Sequence, residues 1–98
     1  MAFKIVWTKR ADKKLWKIIR YLEKEWGANT ARDFDRRVFD FLEILSKFPE
    51  LGSIEEKEKG IRGFVLTKYT KLFYRVKGKE IILLTLFDTR MNPQKKFH

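Results

Sequence analysis

The sequence predicts an α+β fold in the order β-α-α-β-β-β, an antiparallel sheet with a helical hairpin packed on one face. Three observations predict it. Two apolar stripes at helical spacing run through residues 11–45, with Gly27 between them. Three short apolar runs bounded by turn residues follow in residues 61–88. The chain has 98 residues, enough for one domain over 1–98, able to bury roughly two-thirds of its unfolded surface.

Each element has a local reason. Phe3-Lys4-Ile5-Val6-Trp7 alternates and reads as a strand. Thr8 is placed to cap a helix, because its hydroxyl can accept from an orphan amide of the first turn. Ala11, Leu15, Ile18, Leu22 and Trp26 then recur at steps of three or four, widened by Trp16 and Ile19, and Gly27 suits a helix end. Thr30-Ala31-Arg32-Asp33 has the form of a capping box. Phe34, Val38, Phe41, Leu42 and Leu45 mark the second apolar face, and Pro49 stops that helix at or before Phe48. The short link Gly27–Asn29 makes the helices an antiparallel pair. "SIEEKEKG" (Ser53–Gly60) is charged and aperiodic, and reads as an exposed loop. Ile61–Thr67, Lys71–Lys77 and Glu80–Asp88 are the remaining strands, the last two joined by a tight turn at Gly78.

A turn of two or four residues there pairs odd positions with even ones. Lys71, Phe73 and Arg75 then share a face with Ile82, Leu84, Leu86, Asp88 and Arg90. Leu72, Tyr74, Val76, Ile81, Leu83, Thr85 and Phe87 are uncharged and are expected to meet the helices; a three-residue turn reverses the assignment. The first face is an apolar strip (Ile82, Leu84, Leu86) rimmed by Lys71, Arg75, Arg90 and, from the preceding strand, Arg62. Such strips mark partner sites, unless the tail Met91–His98 or the charged loop folds across them.

Net charge is +10. It divides evenly, with 12 Lys+Arg against 7 Asp+Glu in residues 1–49 and 11 against 6 in residues 50–98. Any electrostatic site is therefore a folded surface rather than a tail, and its partner is a nucleic acid or an acidic protein. There is no cysteine and the single His is His98; this excludes disulfides and thiolate sites, and neither a metal nor a cofactor is expected. No run approaches the ~20 apolar residues of a membrane span, and the N-terminus does not read as a signal peptide. The expected location is cytoplasmic. Trp7, Trp16 and Trp26 read as core or helix-packing residues.

Several stretches together resemble the RelE/ParE superfamily of bacterial toxins from type II toxin–antitoxin (plasmid stabilisation) systems. "ADKKLWKIIRYLEKEWG" followed by "ARDFDRRVFDFLE" resembles its helical hairpin, notably Ile18-Ile19-Arg20-Tyr21 and Trp26-Gly27. "FPELG" resembles its post-helix turn, and "IRGFVL", "LFYRV" and "EIILLTLFDTRMN" its sheet strands. The resemblance covers nearly the whole chain. It implies a growth-arresting toxin held inactive by a cognate acidic antitoxin, whose amphipathic segment would occupy the apolar strip and basic rim: Arg62, Lys71, Phe73, Arg75, Ile82, Leu84, Leu86 and Arg90.

The family has two activities. RelE-like members cleave messenger RNA in the ribosomal A site, using cations and a late Tyr or His without a metal. The matching positions are Arg62, Lys71 and Arg90, but Phe64 and Phe97 stand where that pattern has a lysine and a tyrosine. His98 or Tyr69 would have to supply the titratable group. ParE-like members bind DNA gyrase without covalent chemistry. Ile18–Gly27 and Arg90-Met91-Asn92 look more ParE-like, so the expected toxin is a gyrase inhibitor, the alternative being an mRNA interferase. From other classes, a stand-alone RNA-binding module would use Phe64, Tyr69 and Phe73 near cations, and an assembly protein would have no effect on growth.

Overall fold

The computed structural model describes residues 2–91. Its elements are β1 (Lys4–Trp7), α1 (Lys9–Trp26), α2 (Ala28–Lys47), β2 (Ser53–Glu56), β3 (Ile61–Thr67), β4 (Thr70–Lys77) and β5 (Glu80–Asp88). The helix start is as expected: the Thr8 hydroxyl accepts from the Ala11 N–H at 3.1 Å. The same hydroxyl donates to the Leu83 carbonyl at 2.7 Å, which pins the start of α1 to β5. Ala11, Leu15, Ile18 and Leu22 are the buried stripe of α1. They meet Phe34, Val38, Phe41, Leu42 and Leu45 of α2 and the sheet residues Leu72, Tyr74, Ile81, Leu83 and Leu86 in one core.

The link between the helices is Gly27 alone, not three residues. Its φ of 98° turns the chain at once, and its carbonyl accepts from the Ala31 N–H at 3.2 Å. Thr30 is therefore inside α2, which has no side-chain cap, and the expected capping box does not form. Two tryptophans also depart from expectation. Trp16 and Trp26 are 53% and 58% exposed, while Trp7 packs near Phe39 with ring centroids 6.3 Å apart.

The sheet has five strands in the order β1-β5-β4-β3-β2. It is not purely antiparallel, because β1 runs parallel to β5. With β1 on one side and β4 on the other, β5 is an inner strand, which is why Ile81–Phe87 reads as a continuous apolar run. The segment expected to be a charged loop instead adds strand β2 along the edge of β3. All four of its residues are exposed, and charge on an edge strand discourages pairing with other chains.

The turn between β4 and β5 has two residues, with Lys77 opposite Glu80 and Gly78 at φ 59°. The odd–even pairing therefore holds from Lys77–Glu80 to Tyr74–Leu83. It then fails at a bulge: Tyr74 pairs with Leu83 but Phe73 pairs with Thr85, leaving Leu84 as the extra residue. Beyond it every side chain of β5 changes face. Leu86 is 1% exposed and belongs to the core, and Asp88 is buried with it, whereas Phe87 is 49% exposed. The expected placement of Leu86, Asp88, Thr85 and Phe87 is thus corrected by one inserted residue. Thr8 stabilises this irregularity, since its hydroxyl reaches the Leu83 carbonyl and, at 3.3 Å, that of Leu84.

The loop after α2 is tied down from beneath. The buried Tyr74 hydroxyl donates to the Pro49 carbonyl and accepts from the Gly52 N–H, both at 2.8 Å. A Cβ on Gly52 would lie 2.8 Å from the Gly63 carbonyl oxygen and 2.8 Å from that hydroxyl. Backbone on one side leaves little room to yield, so Gly52→Ala is expected to destabilise the fold by about 2 kcal/mol, read from the urea midpoint.

Candidate functional site

The helices cover one face of the sheet, and the described residues leave the other open. Cross-strand partners share a face, so the open side carries Val6 (β1), Ile82 and Leu84 (β5), Phe73 and Arg75 (β4), and Ile61 and Val65 (β3). Its centre is a depression of about 550 Å³ lined by Thr8, Arg10, Ile61, Phe73, Leu84 and Thr85. The floor is mainly apolar, and Val65 and Phe87 extend it at 59% and 49% exposure. From residue 92 onward the tail offered as one cover lies outside the described residues, as do Phe97 and His98.

Cations stand around this floor. Lys71 holds its Nζ 2.8 Å from Glu55 Oε2 and 5.4 Å from the Phe73 ring centroid. The ion pair forms across Gly63, where a Cβ would lie 2.8 Å from Lys71 Cε and 2.9 Å from Glu55 Cγ. Hydrogen bonds from Lys71 and then Ser53 hold the Glu55 carboxyl below its ordinary value. Arg75 lies between Ile61 and Ile82 and has no ion-pair partner among the described residues. Arg10 brings a further cation from the first turn of α1.

The other expected site residues lie elsewhere. Arg62 is opposite Tyr74, on the helix side of the sheet. It donates to the carbonyls of Gly52 at 2.7 Å and Glu50 at 3.3 Å, so it braces a loop rather than the open rim. Leu86 is in the core. Arg90 follows the bulged half of β5 to the helix side, where Nη2 and Nε meet the two Asp88 carboxylate oxygens at 2.7 and 3.1 Å. Thr70 Oγ1 donates to the same carboxylate at 2.6 Å, and the Arg90 backbone N–H also donates to it at 2.9 Å. Burial would push the Asp88 carboxyl up; the hydrogen bonds from Arg90 and Thr70, with the guanidinium charge, outweigh it and leave the carboxyl below its ordinary value. Arg90 is raised by the same pairing and lies 4.4 Å from the Tyr69 ring centroid.

The structure thus brings together Lys71, Phe73, Arg75, Ile82 and Leu84, and separates them from Arg62, Leu86 and Arg90. It adds Arg10, Ile61, Val65 and Phe87. Alternation within "IRGFV" puts Ile61, Gly63 and Val65 on one face and Arg62 and Phe64 on the other; Phe64 stacks on Phe41 of α2 at 3.9 Å, which identifies the helix side. Among the described residues no three His, Cys, Asp or Glu side chains form a group able to hold a metal, and no helix is long and apolar enough to cross a membrane.

A family model described as ParE toxin of type II toxin–antitoxin system, parDE, matches residues 5–93. Solved structures share the fold. A chain of the chromosomal ParDE toxin–antitoxin system from P. aeruginosa has a TM-score of 0.74 at 22% identity, covering 89% of this chain and 96% of that one. A chain of the RelBE2 toxin–antitoxin complex from Mycobacterium tuberculosis has a TM-score of 0.63 at 19% identity, covering 90% and 99%. A YoeB/ParE toxin from Agrobacterium tumefaciens has a TM-score of 0.60 at 15% identity, covering 87% and 96%. No curated protein gives a significant sequence match.

Proposed function

This chain belongs to the ParE toxin family of type II toxin–antitoxin systems, and from that premise we propose that it arrests growth by docking on DNA gyrase rather than by cleaving RNA. The observation that carries this reading is the dispersal of the cations a nuclease would have to gather. Arg62 is engaged by loop carbonyls on one side of the sheet, Lys71 by Glu55 on the other, and Arg90 by the buried Asp88. Phosphodiester cleavage needs charges converging on one phosphate; these three point to three different acceptors. Binding asks only for a shaped surface.

Neutralisation belongs to the same proposal. The open face suits an amphipathic acidic antitoxin segment, with apolar side chains over Phe73, Ile82 and Leu84 and carboxylates at Arg75, Lys71 and Arg10. Both toxin and antitoxin would act in the cytoplasm, as a hetero-oligomer until the antitoxin is lost.

Inducing the chain alone in bacteria tests the target. The expected result is growth arrest with intact transcripts and failed gyrase supercoiling, relieved by co-expressing the cognate antitoxin. Cuts at codon boundaries would instead favour the ribosomal reading, and undisturbed growth would remove the toxin reading altogether.

A further inference from the structure

Helix α1 separates its charges by sign. At about 100° per residue, Lys9, Lys13, Lys17, Arg20 and Lys24 fall within about 80° of arc, diametrically away from the buried Leu15, Ile18 and Leu22. Asp12, Glu23 and Glu25 all lie outside that arc. The five cations are exposed, and among the described residues none is in an ion pair. Arg10 and Lys14 flank them on the side where Arg10 reaches the depression and Lys14 lines a cleft with Phe87 and Met91.

We propose that this face of α1 is a docking surface for the phosphate backbone of duplex DNA. The stripe extends about 22 Å, with successive cations about 4.5–6 Å apart along the helix axis. Four of the five are lysines, point charges suited to phosphates rather than to shaped carboxylate recognition. Within the arc there is no apolar side chain, and Trp16 alone stands at its edge, so an amphipathic peptide has little to bury here, in contrast to the open sheet face. The B-form major groove, about 12 Å wide, leaves room for a helix to lie along one wall with its single cationic face on that strand's phosphates; the deep, narrow A-form groove does not. These residues are not part of the antitoxin face, and the inference does not depend on how that face is used.

Fluorescence anisotropy of the full chain with a labelled duplex of about 20 base pairs, between about 50 and 200 mM salt, tests it. Five phosphate contacts predict a log–log salt slope of about −4.5, and a Lys13→Ala/Lys17→Ala/Arg20→Ala variant should lose about 2.7 of that slope. Alanine at exposed helical positions preserves α1, which circular dichroism checks. A Lys57→Ala/Lys59→Ala/Lys79→Ala variant removes the same charge from the turns beside β3 and β5 and should leave the slope unchanged. Equal losses in the two variants would mean that net charge alone binds DNA, and would overturn the proposal. So would tighter binding to an RNA duplex of the same length, or no binding at the lowest salt.

Discussion

Replacing Asp88 by Asn is expected to lower unfolding stability by about 3 kcal/mol at neutral pH. The carboxylate side chain is fully shielded from solvent, and its two oxygens accept from Thr70, from both ends of the Arg90 fork and from the Arg90 amide. An amide in its place turns an N–H₂ group toward a guanidinium that is itself only 16% exposed, leaving donors facing donors. A pH signature accompanies the loss. The folded carboxyl lies below its ordinary value of 3.8, so the folded chain binds that proton less readily than the unfolded chain. Its contribution is therefore complete above the ordinary value and disappears as pH falls through the lower, folded one. Urea denaturation of both chains should show their stabilities converging in acid below about pH 4. An Asp88→Asn variant as stable as the parent at pH 7 would mean that this pair does not hold the β3–β4 turn to the end of β5.

The second large effect concerns binding. Leu84→Asp combined with Arg75→Glu is expected to weaken association with the cognate antitoxin at least 100-fold, about 3 kcal/mol. The first change puts a charge into the apolar depression; the second reverses the rim. Both side chains are only partly buried on the open face, so the thermal midpoint should shift far less than it would for a change at Leu86, which lies in the core. Calorimetric titration gives the affinity. Unchanged affinity in a folded double variant would move the antitoxin to another surface.

Most of the fold was legible before the structure. Thr8 and Gly27 announce the ends of α1, and the 3.6-residue stripe names its core residues up to Leu22 but not the exposed Trp26; a turn at Gly78 is legible, while its two-residue length comes from the strand pairing. Local signals stop where tertiary pairing decides. Nothing in Ser53–Glu56 alone marks a strand; its pairing needs the free edge of β3. Residues at Leu84 read as one unbroken apolar run, yet an extra residue there reverses the face of everything after it. That single bulge moved Leu86 and Asp88 inward, moved Phe87 outward, and carried Arg90 to the helix side. Arg62 departs from the expected rim for a different reason: its charge suggests the rim, but the alternation Ile61-Gly63-Val65 assigns it to the opposite face. Lys71, Phe73 and Arg75 lie on the unbulged strand β4 and Ile82 precedes the bulge, so alternation places them correctly; Leu84, the bulged residue itself, keeps the open face and only the residues after it change sides.

The uncovered sheet face is the proposed place where a second macromolecule is received. Amide chemical-shift mapping of the labelled chain with unlabelled cognate antitoxin addresses it directly. The predicted result is large perturbation at Val65, Phe73, Arg75, Ile82 and Leu84, with the outer residues of α1 and α2 unaffected. Perturbations confined to the helical hairpin, with those five amides unmoved, would contradict it.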